Sequence, residues 1–244
     1  MCVGNSRPTL ALEAPDVIRL CTDNPLTEAA CERGAILTSY CDVFIPNPRF
    51  IHMKTVKPPI CAPLDVAAVH LQIEHAQSQN KKARVMEGTP TFVPVPGTTG
   101  CISLWHFPSM KNMKQAKELG CTHVVTLQSP KENIDGVRRM CEQLELGWIQ
   151  MDFWANYNVR ENHTKVLQLV DSILELLSLG ASFLIHCAAG IHRTGLLSYL
   201  ILRRLGMSYN DAREYLRVLR PVTRAEVGDE RIKIAEVKFM KWLH

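Results

Sequence analysis

The feature that most constrains this chain is an alternation, from about residue 90 onward, of short apolar runs and amphipathic stretches. Cys101–Trp105, Thr122–Leu127, Trp148–Met151 and Ser182–Ile185 carry almost no charge and are rich in β-branched or aromatic side chains. That is the pattern of short buried strands; Phe92–Val95 reads as a further one. Helical segments lie between them. Ser109 can cap one that runs to Leu119 and stops at Gly120. Ser129-Pro130-Lys131-Glu132 joins a capping box to a proline at the first helical position, predicting a helix from there to about Leu146, ended by Gly147. Glu161–Leu179 places Val166, Leu169, Val170, Ile173, Leu174 and Leu177 on one stripe, with Gly180 after it. The expected fold is α/β, a largely parallel central sheet flanked by helices. In such sheets ligands bind beyond the carboxyl ends of the strands.

The first ninety residues differ. Pro8, Pro15, Pro25, Pro46, Pro48, Pro58, Pro59 and Pro63 break them into short pieces. One helix is expected there, Leu64–Gln79, with Val66, Val69, Ile73 and Ala76 on one face, followed by the polar stretch Gln77–Lys82. Residues 1–85 are therefore read as a proline-rich N-terminal extension whose role the sequence leaves open, and 86–244 as the main domain.

Apolar residues make up 46% and charged residues 21% of the 244, ordinary values for a globular fold and far from a disordered one. A net charge of +4 is too small to argue for nucleic acid. No apolar run approaches the ~18 residues that span a bilayer, and the N-terminus does not read as a signal peptide. Nine cysteines, an odd number without a C-x-x-C pair, suggest free thiols. Without H-E-x-x-H or paired-cysteine spacing, neither metal nor organic cofactor is expected. These readings point to a soluble, intracellular protein, cytoplasmic or nuclear, with no membrane partner.

Beyond Ile185 comes His186-Cys187-Ala188-Ala189-Gly190-Ile191-His192-Arg193-Thr194-Gly195, then the apolar helix Leu196–Leu205. Successive backbone N–H groups curled between a strand end and a helix start form a nest for an anion, and the helix adds its positive end. Arg193 can grip two oxygens of a tetrahedral oxyanion with its planar fork. Gly190 allows a close backbone approach. Cys187, at the rim of this positive bowl, should be held as the nucleophilic thiolate. The sequence thus places a phosphate-binding loop over Ala188, Ala189, Gly190, Ile191, His192 and Arg193, with a nucleophile at its base.

This segment resembles the signature of the cysteine-based protein tyrosine phosphatases, H-C-x-x-G-x-x-R-[ST]-G, and matches every fixed position. The resemblance runs from about residue 90 to the C-terminus. Leu119–Leu127 is similar to the strand before the acid loop of dual-specificity members, and Arg220-Pro221 to a pair that many members carry after the signature. The resemblance implies two steps through a phosphocysteine at Cys187, with Arg193 and the loop amides on the equatorial oxygens. It implies that His186 orients the loop and that the Thr194 hydroxyl eases sulfur departure. Position 192 varies in the family, and His192 is expected to face solvent, with contact to substrate as the alternative. The family places a general-acid aspartate roughly thirty residues before the cysteine. Asp152 stands 35 residues before Cys187 and is the candidate; Asn156, at 31, cannot be an acid, and Asp171 falls within the long helix and is expected to face away.

The implied activity is that of a dual-specificity-like phosphatase on phosphotyrosine proteins, with phosphoserine and phosphothreonine as further substrates. No K-N-R-Y-type loop marks the tyrosine-specific subgroup. The alternatives are a phosphoinositide phosphatase, an RNA 5′-triphosphatase and a phospho-binding pseudophosphatase. Ala188 and Ile191 stand where lipid-directed members often carry lysine, and a misplaced Asp152 would favour the last reading. Cys121 and Cys141 are read as core residues before resolving thiols. Trp105, Trp148, Trp154 and Trp242 are core candidates. Thr223-Arg224-Ala225-Glu226 is read as a capping box for the last helix, with the loop before it near the site.

Overall fold

The computed structural model describes residues 64–79 and 88–239, together with two short strands nearer the N-terminus, β1 (Val17–Ile18) and β2 (Val43–Phe44). The prolines at 8 to 63, the polar residues 80–82 and Trp242 lie outside the described residues. The further strands are β3 (Val93–Pro94), β4 (Cys101–Trp105), β5 (His123–Thr126), β6 (Gly147–Gln150) and β7 (Ser182–His186). Their order is β1-β2-β6-β5-β7-β4-β3. The central four, β6-β5-β7-β4, are parallel, and antiparallel pairs flank them. The expected α/β fold is therefore the observed one.

Helices cover both faces of the sheet, which is why its strands read as unbroken apolar runs. On one face, α2 (Met110–Glu118) and α3 (Asp135–Gln143) bury Met113, Ala116, Val137 and Cys141 against Val124, Trp148 and Leu184. On the other lie α5 (His163–Ser178), α6 (His192–Arg204), α7 (Tyr209–Leu219) and α9 (Asp229–Phe239), packed on Val125, Ile149, Phe183 and Ile185. All six stripe residues of α5 are buried. The helix α1 (Val66–Gln79) joins this second core through Val69 and Ile73, while Val66 is half exposed. Tyr215 on α7 ties it down, donating to Gln72 and lying 3.1 Å from Pro94 O. A helix of the expected extension is thus packed on the main domain.

Three boundaries differ from expectation. Ser129 does form a capping box, with its amide 2.9 Å from Glu132 Oε1. Only one 3-10 turn follows, Pro130–Glu132, because Asn133 adopts the left-handed conformation (φ 58) and breaks it. The helix restarts as α3 and ends at Gln143; the left-handed residue is Glu145 (φ 51), and Gly147 opens β6. The long helix begins at His163, after a one-turn α4 (Phe153–Tyr157) and a 3-10 turn at Arg160–Asn162. Among the described residues no helix is long and apolar enough to cross a membrane.

Candidate active site

Strand β7 ends at His186, and residues 187–191 wind over the carboxyl end of the sheet before α6 begins. Donors outside the loop hold its carbonyls. Ala188 O accepts the Phe107 N–H at 3.0 Å. Gly190 O accepts Arg220 Nη1–H at 2.9 Å and the Thr223 hydroxyl at 2.8 Å. With those oxygens taken, loop amides turn inward, and the Gly190 N–H reaches Cys187 Sγ at 3.2 Å. Gly190 has φ 69, and a Cβ there would lie 2.1 Å from the Trp105 carbonyl oxygen. No side chain fits.

The sulfur is buried, which on its own would raise the thiol pKa. The Thr194 hydroxyl and the amides of Thr194, Ile191 and Gly190 outweigh burial and bring Cys187 below its ordinary value. The Thr194 hydroxyl is itself buried and has no nitrogen or oxygen partner, so the sulfur is what it faces. The expected loop residues are brought together here. Ala188 and Ala189 are exposed, Gly190 is buried, and His192 starts α6 exposed to solvent.

Arg193 meets a partner that the sequence reading assigned only to capping. Its Nη1 and Nη2 lie 2.6 and 2.8 Å from Glu132 Oε1 and Oε2. The guanidinium bonds, against burial, hold the Glu132 carboxyl down at about 2. Gln128 steadies Glu132 at 3.4 Å, and Gln150 donates to the Gln128 carbonyl at 2.7 Å. The capping box was a local signal for Glu132, but nothing local links it to Arg193.

Behind the loop runs a buried relay across three strands. Trp148 Nε1–H, which can only donate, lies 2.9 Å from Thr126 Oγ1, itself 2.9 Å from His186 Nε2. Among the described residues the Thr126 hydroxyl has no acceptor besides Nε2, so its proton goes there, leaving the His186 proton on Nδ1, which faces Cys187 O at 3.4 Å. Burial, with Arg193 nearby, lowers the His186 pKa to about 4. The ring is neutral, as that chain requires.

Asp152 emerges at the same sheet edge. Gln150 is level with Thr126 on β5, and Thr126 with His186 on β7. Asp152 therefore leaves the sheet two strands from Cys187, a lateral step of about 10 Å. Its Oδ1 caps α4 by accepting the Ala155 N–H at 3.2 Å. Asn156 braces the same turn, Nδ2 to Asp152 O at 2.8 Å. Asp171 is on the outside of α5, paired with Arg204 at 2.9 Å.

Cys121 and Cys141 pack in the layer beneath α2 and α3, apart from the cluster that includes Cys187. Burial pushes Cys121 up to about 12 and raises Cys141 as well, so both are protonated core thiols. The capping-box reading of Thr223–Glu226 needs correction. These residues lie inside α8 (Pro221–Glu226), where Thr223 holds Gly190 O and Arg224 pairs with Glu214 at 3.0 Å. The expectation that the preceding segment borders the site stands, through Arg220.

A thiol drawn toward its anion, at the floor of an amide-lined cup with an arginine beside it, is the arrangement of a cysteine-based phosphatase. Residues 104–233 match the tyrosine phosphatase family. That is more than half of the chain, which belongs to this family. No curated protein sequence matches it. Among solved structures it is similar to kinase associated phosphatase with a serine at the catalytic-site cysteine (15% identity, 58% of this chain and 85% of that one, TM-score 0.45). It is also similar to P. aeruginosa TpbA in complex with pTyr (15% identity, 64% and 90%, TM-score 0.42). A third is the Trypanosoma brucei protein tyrosine phosphatase TbPTP1 (13% identity, 72% and 91%, TM-score 0.44).

Proposed function

We propose that this chain hydrolyses phosphotyrosine in protein substrates, with phosphoserine and phosphothreonine as further monoesters, through a phosphocysteine at Cys187. The observation that carries the reading is the convergence of the Gly190, Ile191 and Thr194 amides and the Thr194 hydroxyl on one sulfur. In the first step the Cys187 thiolate attacks phosphorus and the bond to the leaving oxygen breaks, with the Asp152 carboxyl giving that oxygen a proton. In the second, Asp152 takes a proton from water, whose oxygen attacks phosphorus as the sulfur leaves, releasing inorganic phosphate. Thr194 supports the departing thiolate. Arg193 and the amides of Ala188 to Arg193 take the equatorial oxygens in both steps. His186, neutral and fixed, keeps the loop in register.

The test is hydrolysis of a small aryl phosphate and of a phosphotyrosine peptide by wild type and Cys187→Ser, without added metal, from pH 5 to 8. Turnover that disappears in the variant supports the reading. A folded wild type that binds phosphate without turnover would make the chain a phospho-binding module instead.

A further inference from the structure

The segment that carries Asp152 is one turn of helix, far too short to hold itself together. Its anchorage therefore lies elsewhere, and much of it is in the C-terminal helix. Lys238 on α9 sits over the Tyr157 ring, its Nζ 4.1 Å from the ring centroid. The same Nζ lies 3.3 Å from Tyr157 O and 3.4 Å from Asn158 Oδ1. From α5, His163 Nε2 is 3.1 Å from that Tyr157 carbonyl. Phe153 stacks on Tyr157 with centroids 5.3 Å apart, Tyr157 meets Phe239 at 5.7 Å, and Phe239 meets His163 at 4.6 Å. The contacts from Lys238, His163 and Phe239 to this segment fall on Tyr157 or Asn158, at the opposite end from Asp152.

The base of the clamp is rigid. On α9, Ile232, Ala235 and Phe239 are buried in the core. Glu236 is held by Arg203 at 2.7 Å and by the Tyr199 hydroxyl at 2.5 Å. Lys238 thus projects from a fixed helix onto the end of the turn, beside the ring packing of Tyr157. A cation over a ring, partly sheltered from water, attracts more strongly than one in bulk solvent, and its donors take a carbonyl left open at the end of the turn.

We infer that Lys238 is a positioning residue for the general acid: by gripping Tyr157 and Asn158 it sets where α4, and hence Asp152 at its other end, stands over the loop. This rests on the assignment of Asp152 as the acid. The acid matters most where the leaving oxygen is a strong base, so loss of its placement has a kinetic signature that general destabilisation lacks. The rate of phosphocysteine formation, which kcat/KM reports, falls on poor leaving groups and holds on activated ones.

The experiment measures kcat and KM of the full chain on a series of aryl phosphates, from dinitrophenyl to phenyl, for wild type, Lys238→Met, Lys238→Arg and Asp152→Asn. Lys238→Met keeps most of the stem and removes the cation. It is expected to lower kcat/KM on phenyl phosphate about tenfold, a fraction of what a general acid supplies. On dinitrophenyl phosphate kcat/KM stays within about twofold of wild type, because that leaving group needs no proton in the first step, the step kcat/KM reports. Lys238→Arg, which keeps a cation over the ring, restores the slow substrate. If Asp152→Asn is selective for poor leaving groups while Lys238→Met is uniform across the series or silent, the clamp is wrong. If Asp152→Asn itself shows no such selectivity, the acid assignment fails, and the inference with it.

Discussion

Arg193 and Glu132, 61 positions apart in the chain, meet end to end, with two guanidinium nitrogens on two carboxylate oxygens at 2.6 and 2.8 Å. Five N–H groups belong to an arginine, so this pair leaves three for an oxyanion while fixing the plane of the fork. The brace is in place before any substrate arrives, and the ordering cost of a long side chain is not charged to binding.

Replacing Glu132 by Gln should therefore lower kcat/KM by about tenfold to a hundredfold, with inorganic phosphate inhibiting more weakly by a similar factor, as expected when a charge-assisted bidentate contact is cut. Steady-state kinetics with phosphate inhibition measures both. The pair also carries a pH signature. The Glu132 carboxyl is depressed to about 2, so the stability it adds is present above the ordinary carboxylate range and is lost as pH falls toward 2. Melting temperatures of wild type and Glu132→Gln should differ above pH 5 and converge near pH 2. A constant gap across that range would overturn the assignment.

The thiol at position 187 should alkylate as a thiolate well below the pH at which an ordinary cysteine does. Iodoacetate inactivation rates plotted against pH will give its titration. Thr194→Val removes the hydroxyl that faces the sulfur, and should move that curve upward in pH, whereas Thr194→Ser should leave it near wild type. Cys121 and Cys141, buried and protonated, should remain unmodified in the folded protein, so peroxide should inactivate by oxidising Cys187 and a thiol reductant should restore activity. Mass mapping that finds Cys121 modified first would contradict this.

Much of this was legible because it is local. The strands announce themselves by apolar runs, and the nest by a strand end, a glycine and a helix start within ten residues, so the loop around Cys187 could be placed before any coordinates. What escaped is pairing over distance. Glu132 and Thr223 both look like capping residues, since a cap and a long-range acceptor or donor have the same chemistry. Glu132 does cap, at 2.9 Å from the Ser129 amide, and braces Arg193 as well. Thr223 does not cap, and bonds Gly190 O instead. The helix expected from Ser129 failed for a backbone reason. Two non-glycine residues, Asn133 and Glu145, take left-handed conformations that glycine positions alone do not reveal.

The relay behind the loop makes a prediction in which two losses are better than one. Thr126→Val keeps the shape but strands the buried Trp148 N–H and the His186 Nε2, at a cost of roughly 2–3 kcal/mol for unmet polar groups. Adding Trp148→Phe removes one stranded donor and should return part of that stability, less a small loss from the reduced ring volume. Activity should not return, because His186 still lacks the hydroxyl that fixes its tautomer. Chemical unfolding together with kcat for the two single variants and the double variant decides it. Strictly additive stability losses would show that the relay is not connected as described.

Two histidines, the buried His186 and the half-buried His123, give the fold an acid weakness in a window set by their pKa values. Burial lowers His186 and His123 to about 4 each, against 6.5 for the free side chain. Between those values the unfolded chain binds more protons than the folded one, so stability rises with pH through the window and declines as pH falls from 6.5 toward 4. For His186, fully enclosed, the loss is on the order of 3 kcal/mol across the window. Glu132, lowered from 4.5 to about 2, adds to this slope only at its acid end, below about pH 5. His123 is far from the loop, at the start of β5, with its ring against Phe183. His123→Gln should therefore flatten the pH dependence of unfolding between 6.5 and 4 and leave activity at pH 7 near wild type. Urea titrations at several pH values provide the measurement, and a wild-type stability that is level from pH 7 to 4.5 would mean that these rings are not held neutral.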